Sequence, residues 1–315
     1  MNGPSLDDLR EAAAGLVGIA ERTPLLLLPD LVPGIEVRLK AEHLQPIGAF
    51  KIRGAWTAVR RLSPEQRQRG VVTSSSGNHG LGVAFAANRH GIAAVVVMPE
   101  SASAIKVAGV RELGGEVVLI GKVRGPEQTA EAARLVADRG LAMIPPYDHP
   151  DVMAGQGTCG LEILEQWPEV GTILVPVGGG GLLAGICAAV RALRPGVAVV
   201  AVEPAGIPKL SAAFRAGRPQ TLSGGTSLAD GLLTRSVGDL TWPVIQSTVH
   251  EVVAVSDDDI AAAMKWLAAR GIRVEPSGAV STAALLASRI RPPGPTVVVA
   301  SGGNVDPARY DALVN

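Results

Sequence analysis

Two segments of the 315-residue chain carry residue types that could do chemistry together: a run of four glycines and a lysine set between apolar neighbours. Gly178-Gly179-Gly180-Gly181 precedes the apolar stretch Leu182-Leu183-Ala184-Gly185-Ile186. An ordinary strand–helix turn needs only one or two glycines. Four let the backbone approach a ligand closely and turn several N–H groups towards one anion, with the N-terminus of the following helix behind them. The run therefore reads as a phosphate cradle. It is not a P-loop, because no Gly-Lys-Ser/Thr follows, and it lacks the spaced glycines of the dinucleotide fingerprint. Lys51 stands in Pro46-Ile47-Gly48-Ala49-Phe50-Lys51-Ile52-Arg53-Gly54-Ala55, where Phe50 and Ile52 favour a desolvated, neutral amine. Such an amine can form an imine with an aldehyde cofactor and later serve as a base. Taken alone, a lysine in mixed company is most often a surface residue. Its neighbours decide.

The elements that must position these groups follow from hydrophobic periodicity. Val71–Thr73, Ala94–Val97, Glu116–Leu119, Thr172–Val175, Val197–Val202 and Thr296–Ala300 are apolar or nearly apolar runs, as expected of strands buried on both faces of a parallel sheet. Helical stretches alternate with them: Asn78–Arg89, Ser103–Leu113, Glu127–Arg139, Leu182–Leu193 and Asp257–Ala269. Ser256 with Asp259 forms a capping-box pattern, so the Asp257–Asp259 run reads as a charged first turn. The repetition predicts an α/β fold with helices on both sheet faces. Three strands run straight into glycine-rich turns: Ser74–Gly80, Gly178–Gly181 and Ser301–Asn304. In open α/β sheets ligands bind where such loops gather, beyond the carboxyl ends of the strands.

Four blocks in this order resemble the threonine dehydratase and serine racemase family. They are Gly48–Ala55, Ser75-Ser76-Gly77-Asn78-His79-Gly80, the tetraglycine, and Ser301-Gly302-Gly303-Asn304-Val305-Asp306. Arg22-Thr23-Pro24, Ala154–Thr158, Val202-Glu203-Pro204, Ala229-Asp230-Gly231 and Glu275–Ala279 support them, so the similarity runs from about residue 20 to 306. The resemblance implies a fold-type II pyridoxal-5′-phosphate (PLP) enzyme, tryptophan synthase β-like, with two doubly wound open-sheet domains. Residues 1–69 and 149–315 would form a large PLP-binding domain and 70–148 a small mobile one. It further implies that Lys51 holds PLP as a Schiff base and that Gly178 to Gly181 with Leu182 bind the phosphate. Phe50 packs by the ring, Asn78 bonds the ring hydroxyl and Ser301 meets the pyridine nitrogen. Ser75, Asn78 and His79 supply donors around the substrate carboxylate.

The activity the resemblance implies is loss of water from L-threonine or L-serine, giving a 2-oxo acid and ammonia. Serine racemisation, or dehydration of threo-3-hydroxyaspartate or phenylserine, is the alternative. Ser76 bears on it, because many dehydratases that resemble this loop have alanine there, whereas serine racemase has a serine facing Cα opposite the lysine. Tyr147 points the other way, to an aromatic often found in dehydratases. β-Replacing synthases such as cysteine synthase usually show Ser-Val-Lys-Asp-Arg and Thr-Ser-Gly-Asn-Thr-Gly, which this chain lacks.

No metal is expected. Relatives that bind a divalent cation pair the glutamate at Glu203 with an aspartate six residues on, where this chain has Lys209. An ammonium ion-paired with Glu203, or near it, would stand in for the cation. The five histidines are scattered, with none at ligand spacing to a cysteine or another histidine.

Balanced charge, 29 basic against 29 acidic residues, and 3% aromatic content give nothing to attract or stack nucleic acid. No window reaches the roughly 20 apolar residues of a membrane span, and Met1–Arg10 lacks the layout of a signal peptide. Two cysteines suit a reducing cytoplasm. A homodimer acting on a small amino acid is expected. Biosynthetic relatives continue into a regulatory domain, whereas this sequence stops soon after Asp306, so feedback control through such a domain is not expected.

Overall fold

Parallel strands dominate the molecule because its apolar runs are continuous rather than alternating. In chain order the strands are β1 (Leu25–Leu27), β2 (Val37–Lys40), β3 (Val71–Ser74), β4 (Ala94–Met98), β5 (Glu116–Leu119), β6 (Ala142–Met143), β7 (Thr172–Pro176), β8 (Ala198–Pro204), β9 (Val249–Val255) and β10 (Thr296–Val299). The structure is a computed structural model describing residues 3–75, 77–123 and 125–315. Two sheets form, in the orders β1-β2-β10-β7-β8-β9 and β5-β4-β3-β6. Every pairing is parallel except β1 with β2.

In the larger sheet successive residues serve opposite faces. Ile173, Val175, Val199, Ala201, Val297 and Val299 join the cluster beneath the helices Pro150–Gln166 and Gly181–Leu193. Leu174, Val200, Val202, Val298 and Ala300 join the one beneath Asp257–Ala268 and Pro276–Leu286. Six runs read as strands in the sequence are strands here. Glu116–Leu119 differs from expectation in burial: β5 is the edge of its sheet, and Leu119 is exposed. The Ser256–Asp259 capping box is formed as expected, the side chain of each residue accepting from the backbone N–H of the other.

Strand order explains where a ligand fits. In the larger sheet the chain moves outward through β7, β8 and β9, then returns to lay β10 on the other side of β7. In the smaller sheet it moves through β3, β4 and β5, then returns to lay β6 beside β3. Each return makes a topological switch point, the place where an open α/β sheet leaves a crevice beyond its strand ends. The turns after β7 and β10, and those after β3 and β6, line one shared cavity.

The helix Lys51–Arg60 joins the two units. Its Ala55, Trp56 and Val59 share a cluster with Val71, Val83, Ala86, Ile144 and Val152. On its other side it crosses the helix Pro150–Gln166 closely. A Cβ on Gly54 would come within 2.8 Å of the Val152 carbonyl oxygen, and one on Gly155 would overlap the Arg53 carbonyl. Only glycine permits that approach.

Candidate active site

Lys51 is the first residue of its helix, and two sets of contacts hold it there. Before it, the segment 48–50 is stitched to the turn after β10: Phe50 N–H donates to the Ser301 carbonyl (3.1 Å) and Gly303 N–H to that of Gly48 (2.9 Å). Gly48 has φ +71°, and a Cβ there would overlap the Asn304 side chain. After it, the guanidinium of Arg53, wholly buried, donates from Nε to Glu42 (2.8 Å) and from Nη1 to Glu162 (2.7 Å) and Thr158 (3.0 Å). Lys40, also buried, donates to Glu162 (2.6 Å) and to the Thr23 carbonyl (2.7 Å). The Lys51 Nζ donates to the Pro146 carbonyl (2.6 Å) and stands 5.0 Å from the Phe50 ring centre. It therefore faces the cavity from the large-sheet side while touching the loop after β6.

The tetraglycine lines the same cavity. Gly180 adopts φ +96° and precedes the helix Gly181–Leu193, whose N-terminus has no side-chain cap. The first N–H groups of a helix have no intrahelical acceptor, so an uncapped end lined by glycine suits an anion. A Cβ on Gly179 would overlap the Tyr147 ring, and one on Gly180 would come within 2.7 Å of Ile245 and 2.9 Å of Thr241. A second layer fixes the loop. Thr241 Oγ1 and Gly238 N–H both donate to the Gly179 carbonyl at 3.0 Å. The Asp148 carboxylate in turn accepts from the N–H groups of Asp239 (3.1 Å) and Leu240 (2.8 Å). Leu182 lines the cavity, as expected.

The smaller sheet supplies the third wall. Ser75 lines the cavity, with its hydroxyl accepting from Gly77 N–H at 3.3 Å. Ser76 lies outside the described residues. Asn78 and His79 open the helix Asn78–His90, which also has no side-chain cap. The His79 ring has a partner of its own. It is buried, and because Ile144 O can only accept, its Nε2 carries the proton in their 3.0 Å bond. Burial, then the nearby Lys51 charge, hold the ring neutral, with its pKa at about 3. Nδ1 is thus an acceptor, so the donor His79 can offer a carboxylate is its backbone N–H in the helix's first turn. Ser301 is buried in the cavity wall, its hydroxyl 3.3 Å from the Ser277 carbonyl.

Residue-type reasoning assigned no role to Glu275, Asn304, Lys106 or Asp230, all placed here by the fold. Glu275, Lys106 and Asp230 line the cavity. Asn78 Nδ2 donates to Glu275 Oε1 (2.7 Å), and Asn304 Nδ2 donates to Asn78 Oδ1 (2.9 Å). Lys106 pairs with Asp230 at 3.3 Å. The available signal was a glutamate immediately before a proline and a run of small residues, in Glu275-Pro276-Ser277-Gly278.

At Glu203 the structure favours the second of the two expected arrangements, an ammonium near the carboxylate rather than ion-paired with it. Both carboxylate oxygens serve the N-terminus of the helix Lys209–Ala216, accepting from Leu210 N–H and Ser211 N–H at 2.8 Å each. Among the described residues Lys209 makes no ion pair with it within 4 Å. Instead the buried Lys209 ammonium lies 3.5 Å from the Ile207 carbonyl. Burial lowers its pKa to about 8, against the opposing pull of Glu203. A cation here would have to displace both the cap and the ammonium, and hard cations need several free oxygens. Exhaustive EDTA treatment and desalting should therefore leave activity and the thermal midpoint unchanged; a large loss restored by magnesium or calcium would contradict this.

The cavity holds about 250 Å³. It presents an amine, an uncapped helix N-terminus lined by glycines that a Cβ would obstruct, a buried serine hydroxyl and a half-buried asparagine amide. That donor set fits an aldehyde-bearing phosphorylated pyridine. A family model for pyridoxal-phosphate dependent enzymes matches residues 18–302, and the chain belongs to that family. Its architecture is that of the fold-type II branch. An L-threonine ammonia-lyase of Thermotoga maritima is 40% identical over 316 residues, spanning 99% of this chain and 78% of that protein. An L-threo-3-hydroxyaspartate ammonia-lyase of Saccharomyces cerevisiae is 38% identical over 318 residues, spanning 99% and 97%. Among solved structures, a serine racemase from maize superposes with a TM-score of 0.93 at 37% identity, covering 98% of this chain and 96% of that one.

Proposed function

We propose that the chain is a PLP-dependent ammonia-lyase that removes water from a β-hydroxy amino acid, L-threonine or L-serine, to give a 2-oxo acid and ammonia. The observation that carries this reading is the convergence of Lys51, the tetraglycine and Ser301 on one cavity. PLP, when bound, supplies an electron sink for the charge that develops at the substrate Cα. Lys51 would hold the cofactor covalently, and its Nζ, when the substrate amine takes its place, would be the base at the Cα proton, a role that requires a neutral amine. Gly178 to Gly181 and the Leu182 N–H hold the phosphate, Phe50 packs beside the ring, and Asn78 bonds the ring hydroxyl. Ser75 and the backbone N–H groups of Asn78 and His79 hold the substrate carboxylate at a helix N-terminus. Ser301 offers the ring nitrogen a hydroxyl where an aspartate would keep it charged. With PLP bound, that arrangement would keep negative charge close to Cα and favour loss of the β-hydroxyl, protonated as it leaves as water, over transamination. The released enamine loses ammonia to water.

The four-stranded unit, within residues 70–148, would move against the remainder to admit substrate. Lys106, a cation in the cavity wall, favours a second reading in which the β-substituent is a carboxylate, as in 3-hydroxyaspartate. The protein would be cytoplasmic and a homodimer. Its two thiols, Cys159 and Cys187, are buried and kept protonated by burial, as suits a reducing compartment. A ketoacid assay across L- and D-serine, L-threonine, threo-3-hydroxyaspartate and phenylserine tests the reading. Fastest ketoacid release from L-threonine or L-serine is expected. D-serine formation outrunning pyruvate release, or ketoacid from the other substrates alone, would overturn it.

A further inference from the structure

The bonds around Asn78 form a relay with a defined direction. Ile47 O can only accept, so the Asn304 atom 2.7 Å from it is the amide nitrogen. That nitrogen's other hydrogen is donated to Asn78 at 2.9 Å, so the Asn78 atom facing it is Oδ1. The Asn78 nitrogen must then face Glu275 Oε1, at 2.7 Å. Glu275 is the terminal acceptor. If it were removed, the Asn304 bond to Oδ1 would be the relay's one remaining hold on the Asn78 amide, and the Nδ2 would be left without its acceptor. With it in place, one Nδ2 hydrogen is committed and the second remains for the cavity.

The relay also crosses the molecule. Asn78 rides on the helix that follows β3 of the smaller sheet, while Glu275 and Asn304 stand at the helix Pro276–Leu286 and beyond β10 of the larger sheet. Lys106, on the helix Ala104–Glu112, makes a second crossing to Asp230 at 3.3 Å.

We propose that Glu275 is a positioning residue for the cofactor ring: it fixes the Asn78 amide so that its free N–H meets the ring hydroxyl, and it ties the two sheet units together across the site. The inference rests on the cofactor assignment and not on the choice of substrate. The half-buried Asn78 amide meets a buried carboxylate, and an unmet donor or acceptor there costs more than a hydrogen bond contributes. Glu275 is also a titrating partner. Burial raises its carboxyl to a pKa of about 7, against the opposing influence of Lys106. Asp230 raises it further, while the Asn78 bond and Arg309 lower it. Those are the charged and polar groups that face it, from the helices Ala104–Glu112, Asn78–His90 and Pro307–Val314 and the turn Asp230–Leu232. The carboxyl accepts from Asn78 in either state, but the ionised form holds the amide more tightly.

PLP dissociation constants, measured by absorbance titration of apoprotein between pH 6 and 8.5, test this without reference to turnover. In the wild type, affinity should rise with pH through about 7, as Glu275 ionises and tightens on Asn78. Glu275→Ala should weaken PLP by about tenfold or more, the scale of a lost buried hydrogen bond with its partner left unmet. Its kcat should fall more than KM changes, because the carboxylate-binding N–H groups stay in place. Glu275→Gln keeps an acceptor without a titrating charge, so it should restore much of the affinity and abolish the change near pH 7. If Glu275→Ala fails to fold, Asn304→Ala breaks the relay at its other end and should weaken PLP in the same way. Wild-type PLP affinity in both alanine variants, or a change near pH 7 that persists in Glu275→Gln, would overturn the proposal. Failure of the ketoacid assay with normal results here would instead count against the substrate reading alone.

Discussion

Replacing Lys51 with alanine is expected to lower turnover by about 10⁴-fold or more, since the side chain serves both as covalent anchor and as base. No other described lysine can substitute within the cavity without rearrangement. Lys106 lines the same cavity but is committed to Asp230 at 3.3 Å, whereas the Lys51 Nζ donates to Pro146 O. The variant should nevertheless bind PLP, because the phosphate cradle is built from backbone and owes nothing to the Lys51 side chain. The expected signature is a stoichiometric complex with the spectrum of the free aldehyde and no ketoacid release. Activity within tenfold of the wild type would mean that a different group acts as base.

The second large effect concerns stability. Arg53→Ala should cost roughly 3–5 kcal/mol, because it removes one member of a buried ionic network and leaves its carboxylates without their main partner. Burial alone would raise the Glu42 carboxyl. Arg53 outweighs it, with Lys40 and Thr23 assisting, so that Glu42 titrates below the usual carboxylate range. A depressed folded-state value means that the network's stabilisation is present above the ordinary glutamate range and is lost as pH falls through the folded value. In the variant this term should vanish. Urea denaturation at pH 7.5 should show a clear drop in midpoint, and the gap between variant and wild type should narrow towards acid pH. An unchanged midpoint would mean that the network is neutral in sum, as some buried ion pairs are. Because Arg53 is two residues beyond Lys51 on the same helix, PLP binding is expected to weaken in parallel.

Much of the chemistry is carried by backbone and by short contiguous blocks, and that part was legible in the sequence. The tetraglycine announces a close backbone approach because four residues without a Cβ have few other uses, and the structure shows side chains of Tyr147, Ile245 and Thr241 where Cβ atoms would go. Continuous apolar runs identified the central strands. What stayed hidden depends on distant pairs. Glu275 and Asn78 are 197 positions apart, and Arg53 and Glu162 are 109 apart. No local pattern marks one of them as the partner of the other. Arg53 was read only as part of a motif, and its buried network could not be inferred before the helix Pro150–Gln166 was placed beside it.

The strands missed had physical reasons too. β9 is an edge strand, with His250 and Glu251 exposed, so its pattern does not resemble a buried run. β2 is short and ends in Lys40, a buried charge that breaks the apolar run yet belongs to the network around Arg53. Which His79 group can act as the donor was also not legible locally: its Nε2–H is taken by the Ile144 carbonyl, which leaves the backbone N–H.

The central claim is that Lys51 carries the cofactor. Reduction of the purified, PLP-loaded protein with borohydride, followed by proteolysis and peptide mapping, tests it most directly. The account predicts one pyridoxyl-modified peptide, containing Ala49-Phe50-Lys51-Ile52, with the modification on Lys51. Modification of any other lysine, Lys106 included, would contradict it.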